Sequence, residues 1–492
     1  MEFVGSKRLL LKPNLDNLSG IVLMRLQLWL FLVFFSLQAS AFTPCRIPGY
    51  PYAIECLSLK LDSPVSKKQL LEVTVFKVAS RVRYPKPSPV IWIPDGISQP
   101  SSERAAFIIN SLSKLRNRRD ILWLEFSPAQ ESLDPQCGKK GARESSVMMR
   151  LNRFDNDDYL HQCRAQLGKL GSLDEVSEQA LAKYYDAVAN ALKLEQVTIF
   201  AERSGAAVAS AWQAHSPGRI LFQVWDNPDM SPGLKTQIQS ASQILHNVHI
   251  QCVLSKQCAV DAADTETDLN RLFARLPVNV AVRNPRNYQE ENIILTAPFL
   301  SVAIMQMLNS PVHAQQLPNL IHQALKGDFN PLYQSFATQW TRRQPTLSDP
   351  IYLAEQCIPW MRSWHSERTW QNSTPLEATM FENIKKRYQT LCAGVGNNVR
   401  QTLVALPATQ TLVLSGQSVH AVNYAGMGPE IVQLALPGLG SSALPFGCTK
   451  DVIARYFQLQ DKMPKSTGMT TEGLEVDCLT HIPLPVMPGV AP

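Results

Sequence analysis

Residues 197–217, which read VTIFAERSGAAVASAWQAHSP, decide the fold of this chain. The stretch begins with a short apolar run that favours a β-strand and ends with a run of small and apolar residues that favours a helix. Between them lies a short polar turn formed by Glu202, Arg203 and Ser204. A buried strand that turns directly into a helix is typical of a parallel sheet with helices packed on its faces. The stretch therefore predicts an α/β fold.

Similar runs lie on both sides of this stretch and predict a sheet built in two pieces. Short apolar runs alternate with helical stretches from about residue 55 to 230, and the alternation returns from about 405 to the end. Besides 196–201, the strand candidates are 71–78, 89–94, 121–126, 220–225, 411–416 and 431–438. Strands joined by helical connections form a doubly wound, mostly parallel sheet, and we predict that fold class here.

The segment between the two pieces has a different pattern. From 231 to 400 the residues favour helices, with Pro and Gly interruptions. We expect this segment to be an inserted, mainly helical cap domain that sits over the ends of the strands. The predicted organisation is then a leader over residues 1–41, a first part of the core over 42–230, the cap over 231–400, and the second part of the core over 401–492.

The N-terminus predicts export. Residues 24–41 read MRLQLWLFLVFFSLQASA, a basic start, an apolar run and a small-x-small cleavage site, which together are typical of a secretory signal peptide. A permanent membrane helix is the weaker alternative, because about 20 apolar residues are needed to span a bilayer. We expect translation to start at Met24, the mature chain to begin at Phe42, no stable membrane span after cleavage, and a periplasmic or secreted location.

Composition and motifs argue against nucleic-acid binding and against a cofactor or metal. The chain has 492 residues, 45% of them hydrophobic, and a net charge of +6 with a pI near 8.7. The basic residues are spread along the chain, which favours a solvated, mildly basic surface over a nucleic-acid-binding patch. Neither a GxGxxG motif nor a phosphate-binding loop occurs, and metal-ligand spacings are missing, so we expect no cofactor and no metal.

The cysteines agree with an oxidising compartment. There are ten, an even number that falls into pairs along the chain, whereas the CxxC and HxxxH spacings of a zinc site are missing. Order and spacing favour disulfides over metal binding. The predicted pairs are Cys45 with Cys56, Cys137 with Cys163, Cys252 with Cys258, Cys357 with Cys392, and Cys448 with Cys478.

Segments along the chain resemble, in the same order, segments of one known family. TPCRIPGYPYAIECLSLKLD (43–62) resembles the family's opening disulfide loop, IWIPDGISQP (91–100) stands where it has a glycine-rich oxyanion loop, and residues 197–217 stand at its nucleophile elbow. LPNLIHQALKGDFNPL (317–332) is similar to a family signature, and FGCTKDVIARYF (446–457) to its C-terminal part. The family is the tripeptidyl and prolyl aminopeptidase-like group of the α/β-hydrolases, so the resemblance implies the α/β-hydrolase fold.

The same resemblance implies that the catalytic triad has been replaced. The nucleophilic serine of G-x-S-x-G sits on a strained turn between strand and helix, and here that position holds Arg203, whose guanidinium cannot attack a carbonyl. The position of the triad acid holds Val419, and that of the histidine holds Ser441. Asp95 stands in the oxyanion loop, where its charge would oppose a developing oxyanion. In the cap, Pro359 stands where the family offers an acidic residue that can bind an amine.

A retained scaffold with altered chemistry predicts a pseudoenzyme. We expect no catalytic residue, and a cleft between cap and core that binds a peptide, a small molecule or a protein partner, with Arg203 and Asp95 as candidate binding residues. Arg203, near a helix N-terminus, could attract a carboxylate. The other reading of Arg203 is a structural ion pair with Glu202 or Asp226.

Two alternatives from other classes stay open. The first is an active serine peptidase or esterase that uses Ser204, the neighbouring hydroxyl, with a histidine such as His215 or His420. A shift by one residue at a sharp turn would rotate the hydroxyl away from the base, which argues against it. The second alternative is a scaffold that acts beside an active relative of the same fold.

Overall fold

The computed structural model describes most of the chain between Phe42 and Thr480. The described residues are 42–66, 68–129, 137, 157–169, 173–230, 233–255, 264–285, 287–341, 348–361, 370, 373–395, 407–416, 423–424, 428–436, 440, 442–462 and 473–480. By its internal contacts the chain divides into residues 1–43 and 44–492, and all the described helices and, apart from Thr43, all the described strand residues belong to the second unit. The predicted signal peptide and start site lie outside the described residues.

The described strands form one large sheet and one small sheet. The strands are β1 (Thr43–Cys45), β2 (Ile54–Lys60), β3 (Leu71–Val78), β4 (Val90–Ile93), β5 (Ile121–Pro128), β6 (Val197–Glu202), β7 (Ile220–Asp226), β8 (Val278–Arg283), β9 (Glu290–Leu295), β10 (Thr411–Gly416) and β11 (Ile431–Leu436). The large sheet has nine strands in the order β1-β2-β3-β5-β4-β6-β7-β10-β11. β3 runs antiparallel to β2 and β5, whereas the neighbours from β5 to β11 pair in parallel.

The helices connect the strands and fill the insertion. They are α1 (Ser102–Ser111), α2 (Asp157–Gly168), α3 (Glu178–Ala191), α4 (Gly205–His215), α5 (Leu234–Ser255), α6 (Thr265–Phe273), α7 (Ala297–Leu308), α8 (Pro311–Ala314), α9 (Leu317–Leu325), α10 (Asn330–Thr341), α11 (Asp349–Pro359), α12 (Pro375–Cys392), α13 (Thr449–Gln460) and α14 (Asp477–Thr480). Short 3₁₀ turns lie at Leu115–Asn117 and Leu173–Val176.

The central strands are buried because helices cover both faces of the sheet. On one face Ile108 of α1 and Phe457 of α13 join a cluster with Trp92 and Phe200 of the sheet. On the other face α3 packs against α4, and Trp212 of α4 faces the sheet residues around Leu122. All six residues of β6, and all six of β10, are buried. Because both faces of these strands are buried, their sequences are mostly apolar and do not alternate between apolar and polar residues.

The predicted fold class is confirmed: a doubly wound, mostly parallel sheet of the α/β-hydrolase type carries a mainly helical insertion between β7 and β10. The predicted strands are all present, β3 and β10 with the predicted bounds and the others within two residues of them. The insertion also contains β8 and β9, an antiparallel pair that we did not predict. In β8, Val280 and Val282 are buried between exposed neighbours, so the pair covers a core on one face only.

The disulfides agree with the predicted pairing. Cys45–Cys56, Cys137–Cys163, Cys357–Cys392 and Cys448–Cys478 are confirmed. Cys252 is also disulfide-bonded, and its predicted partner Cys258 lies outside the described residues. None of the helices in the described part of the chain combines the length and the apolar character that a membrane span requires.

Candidate functional site

Arg203 occupies the sharp turn between β6 and α4. Its φ of 45° is left-handed, a conformation that costs energy for any residue other than glycine. The turn is held by the end of β7 and the residues after it, because Arg203 N donates to the carbonyl of Asp226 at 3.0 Å and the Arg203 carbonyl accepts from Asp229 N at 3.1 Å. The strained residue of this strand-to-helix turn is therefore an arginine.

Gly205 brings the start of α4 against the end of β4. A Cβ added at Gly205 would lie 2.5 Å from the carbonyl oxygen of Ile93 and 2.7 Å from that of Pro94. Both neighbours are backbone atoms, so neither can swing away as a side chain can. The glycine thus sets the close contact between the turn and the loop that joins β4 to α1.

The guanidinium of Arg203 lies between two carboxylates. Its Nε is 3.0 Å from Asp95 Oδ2, and its Nη2 is 3.6 Å from Asp229 Oδ2. Burial would lower the pKa of Arg203, but the charges of Asp95 and then Asp229 raise it, so the side chain stays cationic. A structural ion pair therefore exists, but the partners that we expected, Glu202 and Asp226, are wrong.

Those two expected partners face other groups. Glu202 is the last residue of β6, and its carboxylate pairs with Arg104 of α1 at 2.6 Å. Asp226 is the last residue of β7, and its carboxylate accepts from Ser442 Oγ at 2.5 Å and from Ala443 N at 2.8 Å. The candidate binding residues Arg203 and Asp95 are thus brought together with each other, and Glu202 and Asp226 are not part of that pair.

Ser204 has a carboxylate, not a histidine, as its described side-chain partner. Its Oγ donates to Asp95 Oδ1 at 2.7 Å, and its N donates to the same oxygen at 3.3 Å. Partial burial opposes ionisation of Asp95, but the charge of Arg203 and the bonds from Ser204 lower the pKa of that carboxyl below its usual value. An ion-paired carboxylate of low pKa is a poor base for activating a hydroxyl.

Of the two histidines considered as a base for Ser204, His215 is described and lies far from it. His215 ends α4, so it lies about 16 Å along the helix from Ser204, and its side chain is exposed. His215 is therefore wrong as a partner for Ser204. His420, Val419 and Ser441 lie outside the described residues.

A buried carboxylate reaches the segment in which the resemblance places the triad histidine. Asp226 is 1% exposed, and its donors Ser442 and Ala443 follow β11. Burial raises the pKa of Asp226, and these two hydrogen bonds partly offset that rise. Sequence reasoning considered Asp226 only as a partner of Arg203, because its role here depends on a residue 216 positions away.

Glu355 is a site residue that sequence reasoning missed, as it missed Asp229. It lies on α11, and its Oε1 accepts from Ile97 N at 2.5 Å and Ser98 N at 3.1 Å, while Ser98 Oγ donates to its Oε2. These donors belong to the loop that the resemblance identifies as the oxyanion loop. The family acid was sought two residues after Cys357, whereas this glutamate lies two residues before it. Burial raises the pKa of Glu355, and its three hydrogen bonds oppose that rise.

Glu202 is a buried carboxylate with a strongly shifted pKa. It is 2% exposed, and Trp92 Nε1 donates to its Oε2 at 2.8 Å. Burial raises the pKa of Glu202 to about 7, although Arg104 lowers it. The Arg104 side chain is 44% exposed, so solvent screens its charge and the ion pair does not offset the burial.

We expect Glu202 to make stability fall as pH rises. Its pKa is about 7 in the folded chain against a reference of 4.5, so the folded state keeps a proton that the unfolded state releases in this range. The free energy of unfolding should therefore fall by up to about 3 kcal/mol between about pH 4.5 and 7. Urea unfolding at pH 5 and pH 8 should show a smaller fall in Glu202→Gln. An equal fall in both proteins would contradict the assignment.

The acidic groups of the site do not form a metal site. Within the described ranges, no group of three or more His, Cys, Asp or Glu residues is arranged to hold a metal ion. The carboxylates of Asp95 and Asp229 pair with Arg203, and that of Glu202 pairs with Arg104. What the arrangement offers chemically is a fixed cation at the turn and amide donors in the neighbouring loop.

Comparisons with solved structures return likenesses at low sequence identity. No family model and no curated protein matches the chain. A proline iminopeptidase from Mycobacterium smegmatis is 11% identical, with a TM-score of 0.32, over 86% of this chain and 99% of that one. A carboxylesterase from Bacillus subtilis is 8% identical, with a TM-score of 0.28, over 84% and 91%.

A third solved structure of this kind is a juvenile hormone epoxide hydrolase from the silkworm Bombyx mori. It is 12% identical, with a TM-score of 0.30, over 83% of this chain and 78% of that one. At such identities and TM-scores, the α/β-hydrolase fold of this chain rests on its own strand order and on the turn from β6 to α4 at Arg203.

Proposed function

We propose that this chain is an exported α/β-hydrolase-fold protein, related to the tripeptidyl aminopeptidase-like enzymes, that no longer hydrolyses and instead binds a ligand or partner. The observation that carries the proposal is Arg203 in the left-handed residue of the turn between β6 and α4. That turn is where an α/β-hydrolase exposes its nucleophile. A guanidinium held by Asp95 and Asp229 has no atom that can attack a carbonyl.

The neighbouring hydroxyl supports the same conclusion. Ser204 donates to Asp95, whose lowered pKa makes it a weak base, and His215 lies at the far end of α4. A serine without a basic partner stays protonated at neutral pH and is a weak nucleophile. Among the described residues, Ser204 therefore has no general base beside it that could activate its hydroxyl.

The loop after β4 also argues against hydrolysis. In a working hydrolase the amides of such a loop stabilise the oxyanion, but here Ile97 N and Ser98 N both donate to Glu355. As long as Glu355 occupies these amides, they cannot stabilise an oxyanion in a transition state. The four described disulfides fit the oxidising conditions of the periplasm or the exterior, which is the location that we propose.

We expect the mature protein, with its disulfides intact, to hydrolyse p-nitrophenyl acetate and alanyl p-nitroanilide no faster than its Ser204→Ala variant. Both proteins would be assayed at equal concentration against a buffer blank, so that any turnover at surface groups appears in both. A rate that disappears in Ser204→Ala would contradict the proposal, because it would identify Ser204 as a working nucleophile.

A further inference from the structure

The loop between β4 and α1 binds a carboxylate that belongs to the same chain. Two consecutive backbone amides, Ile97 N and Ser98 N, and the hydroxyl of Ser98 all donate to Glu355. Ile97 is 7% exposed and Ser98 1%, so water is not a ready alternative partner for these donors. Convergent amides of this kind form an anion-binding nest.

The loop is shaped for close approach of an anion. Gly96 has a φ of 75°, which glycine adopts without strain, and a Cβ there would lie 2.9 Å from Glu355 Oε1. A side chain at position 96 would therefore crowd the carboxylate. The glycine therefore leaves room for a carboxylate oxygen to lie against the backbone of the loop.

Glu355 reaches this loop from a firmly anchored helix. Leu353 and Ala354 are fully buried, and the Cys357–Cys392 disulfide ties α11 to α12. Within the described ranges, the hydrogen-bond donors to Glu355 are all neutral groups, and the charge of nearby Asp95 raises its pKa further. A carboxylate held by neutral donors alone lacks the ion pair with a cation that would fix it more strongly, so another carboxylate can compete with it for the same donors.

We infer that the β4–α1 loop is a carboxylate receptor, that Glu355 is its internal and displaceable ligand, and that the chain binds a carboxylate-bearing molecule by exchange with Glu355. This inference rests on the proposed function, since a working hydrolase would keep the same amides for an oxyanion. An internal ligand competes at a high effective concentration, so the native chain binds external carboxylates more weakly than the bare receptor would.

Acetate is the probe that tests the receptor, because Glu355→Ala removes one CH₂–COO⁻ group and acetate supplies the same atoms. Thermal unfolding of the full mature chain would be followed at rising sodium acetate, with sodium chloride at equal ionic strength and acetamide as controls. We expect acetate to raise the Tm of Glu355→Ala saturably, with an affinity roughly tenfold or more above that of the native chain. Chloride and acetamide should not reproduce the rise.

Further variants test whether the acetate effect comes from this loop or from a general change in the charge of the protein. Glu382→Ala makes the same change of charge at a side chain that is 67% exposed, and it should respond to acetate as the native chain does. Ser98→Ala in the Glu355→Ala background should weaken acetate binding, because one donor is lost. If Glu355→Ala does not fold, Glu355→Gln gives the comparison: its neutral amide is the poorer ligand, so acetate should bind it more tightly than the native chain.

The outcomes distinguish the two claims. Equal acetate responses in the native chain, Glu355→Ala and Glu355→Gln would overturn the receptor and leave the absence of turnover untouched. Turnover that depends on Ser204 would overturn the proposed function, while the acetate response of Glu355→Ala would still identify the loop as an anion receptor.

Discussion

Gly205→Ala is expected to destabilise the folded chain by about 3 kcal/mol or more, a large effect for the addition of one methyl group. The new Cβ would lie 2.5 Å from the carbonyl oxygen of Ile93 and 2.7 Å from that of Pro94, and these are backbone atoms at the end of a fully buried strand. Either α4 or the end of β4 must move, and both are packed in the core. Urea unfolding of the mature protein measures the change.

Gly168→Ala is the matched control. Gly168 ends α2, and a Cβ built there meets no atom within 4 Å. Alanine is the better helix former, so this variant should be neutral or more stable by up to about 1 kcal/mol. Equal destabilisation of the two variants would contradict the close contact between α4 and β4.

Arg203→Ala is expected to destabilise the chain by about 2 kcal/mol at pH 7, because it leaves Asp95 and Asp229 without their shared cation. The value is set below that of a fully buried pair, since the Asp95 side chain is 44% exposed. The effect should depend on pH. The pKa of Asp95 is lowered in the folded state, so its contribution is present above the unfolded value of 3.8 and is lost as pH falls through the lower folded value.

The matched control for this variant is Arg271→Ala. Arg271 is 67% exposed and pairs with Asp268 three residues earlier on α6, so its loss should change stability by no more than about 0.5 kcal/mol. Urea unfolding at pH 7 and at pH 3 should show the cost of Arg203→Ala shrinking at the lower pH. A cost that is equal at both values would mean that the ion pairs of Arg203 do not stabilise the fold.

The sheet could be predicted from the sequence because its central strands are buried on both faces. The buried run at 411–416 identifies β10 with its bounds, and the largely alternating pattern at 71–78 identifies β3. β8 and β9 were missed because each has exposed polar positions, and they lie in a segment that otherwise favours helices. The alternation of VNVAVR at 278–283 is the signal that identifies β8.

Only the site residues that come directly after a strand could be predicted from the sequence. Asp95 and Arg203 come just after β4 and β6, which are neighbours in the sheet, so their meeting at 3.0 Å follows from the strand order. The contact of Glu355 with Ile97 joins residues 258 positions apart, across the insertion. No local pattern around Glu355 marks it, and the resemblance directed attention to a position after Cys357 rather than before it.

The most direct test of the central claim, that the turn between β6 and α4 carries no working nucleophile, is intact-mass analysis of the native mature chain after incubation with a fluorophosphonate probe. The probe reports an activated serine without requiring the right substrate, and Ser204→Ala gives the background. We predict no adduct on the native chain beyond that of Ser204→Ala. A stoichiometric adduct that peptide mapping assigns to Ser204 would contradict the account and identify the chain as a serine hydrolase with an altered turn.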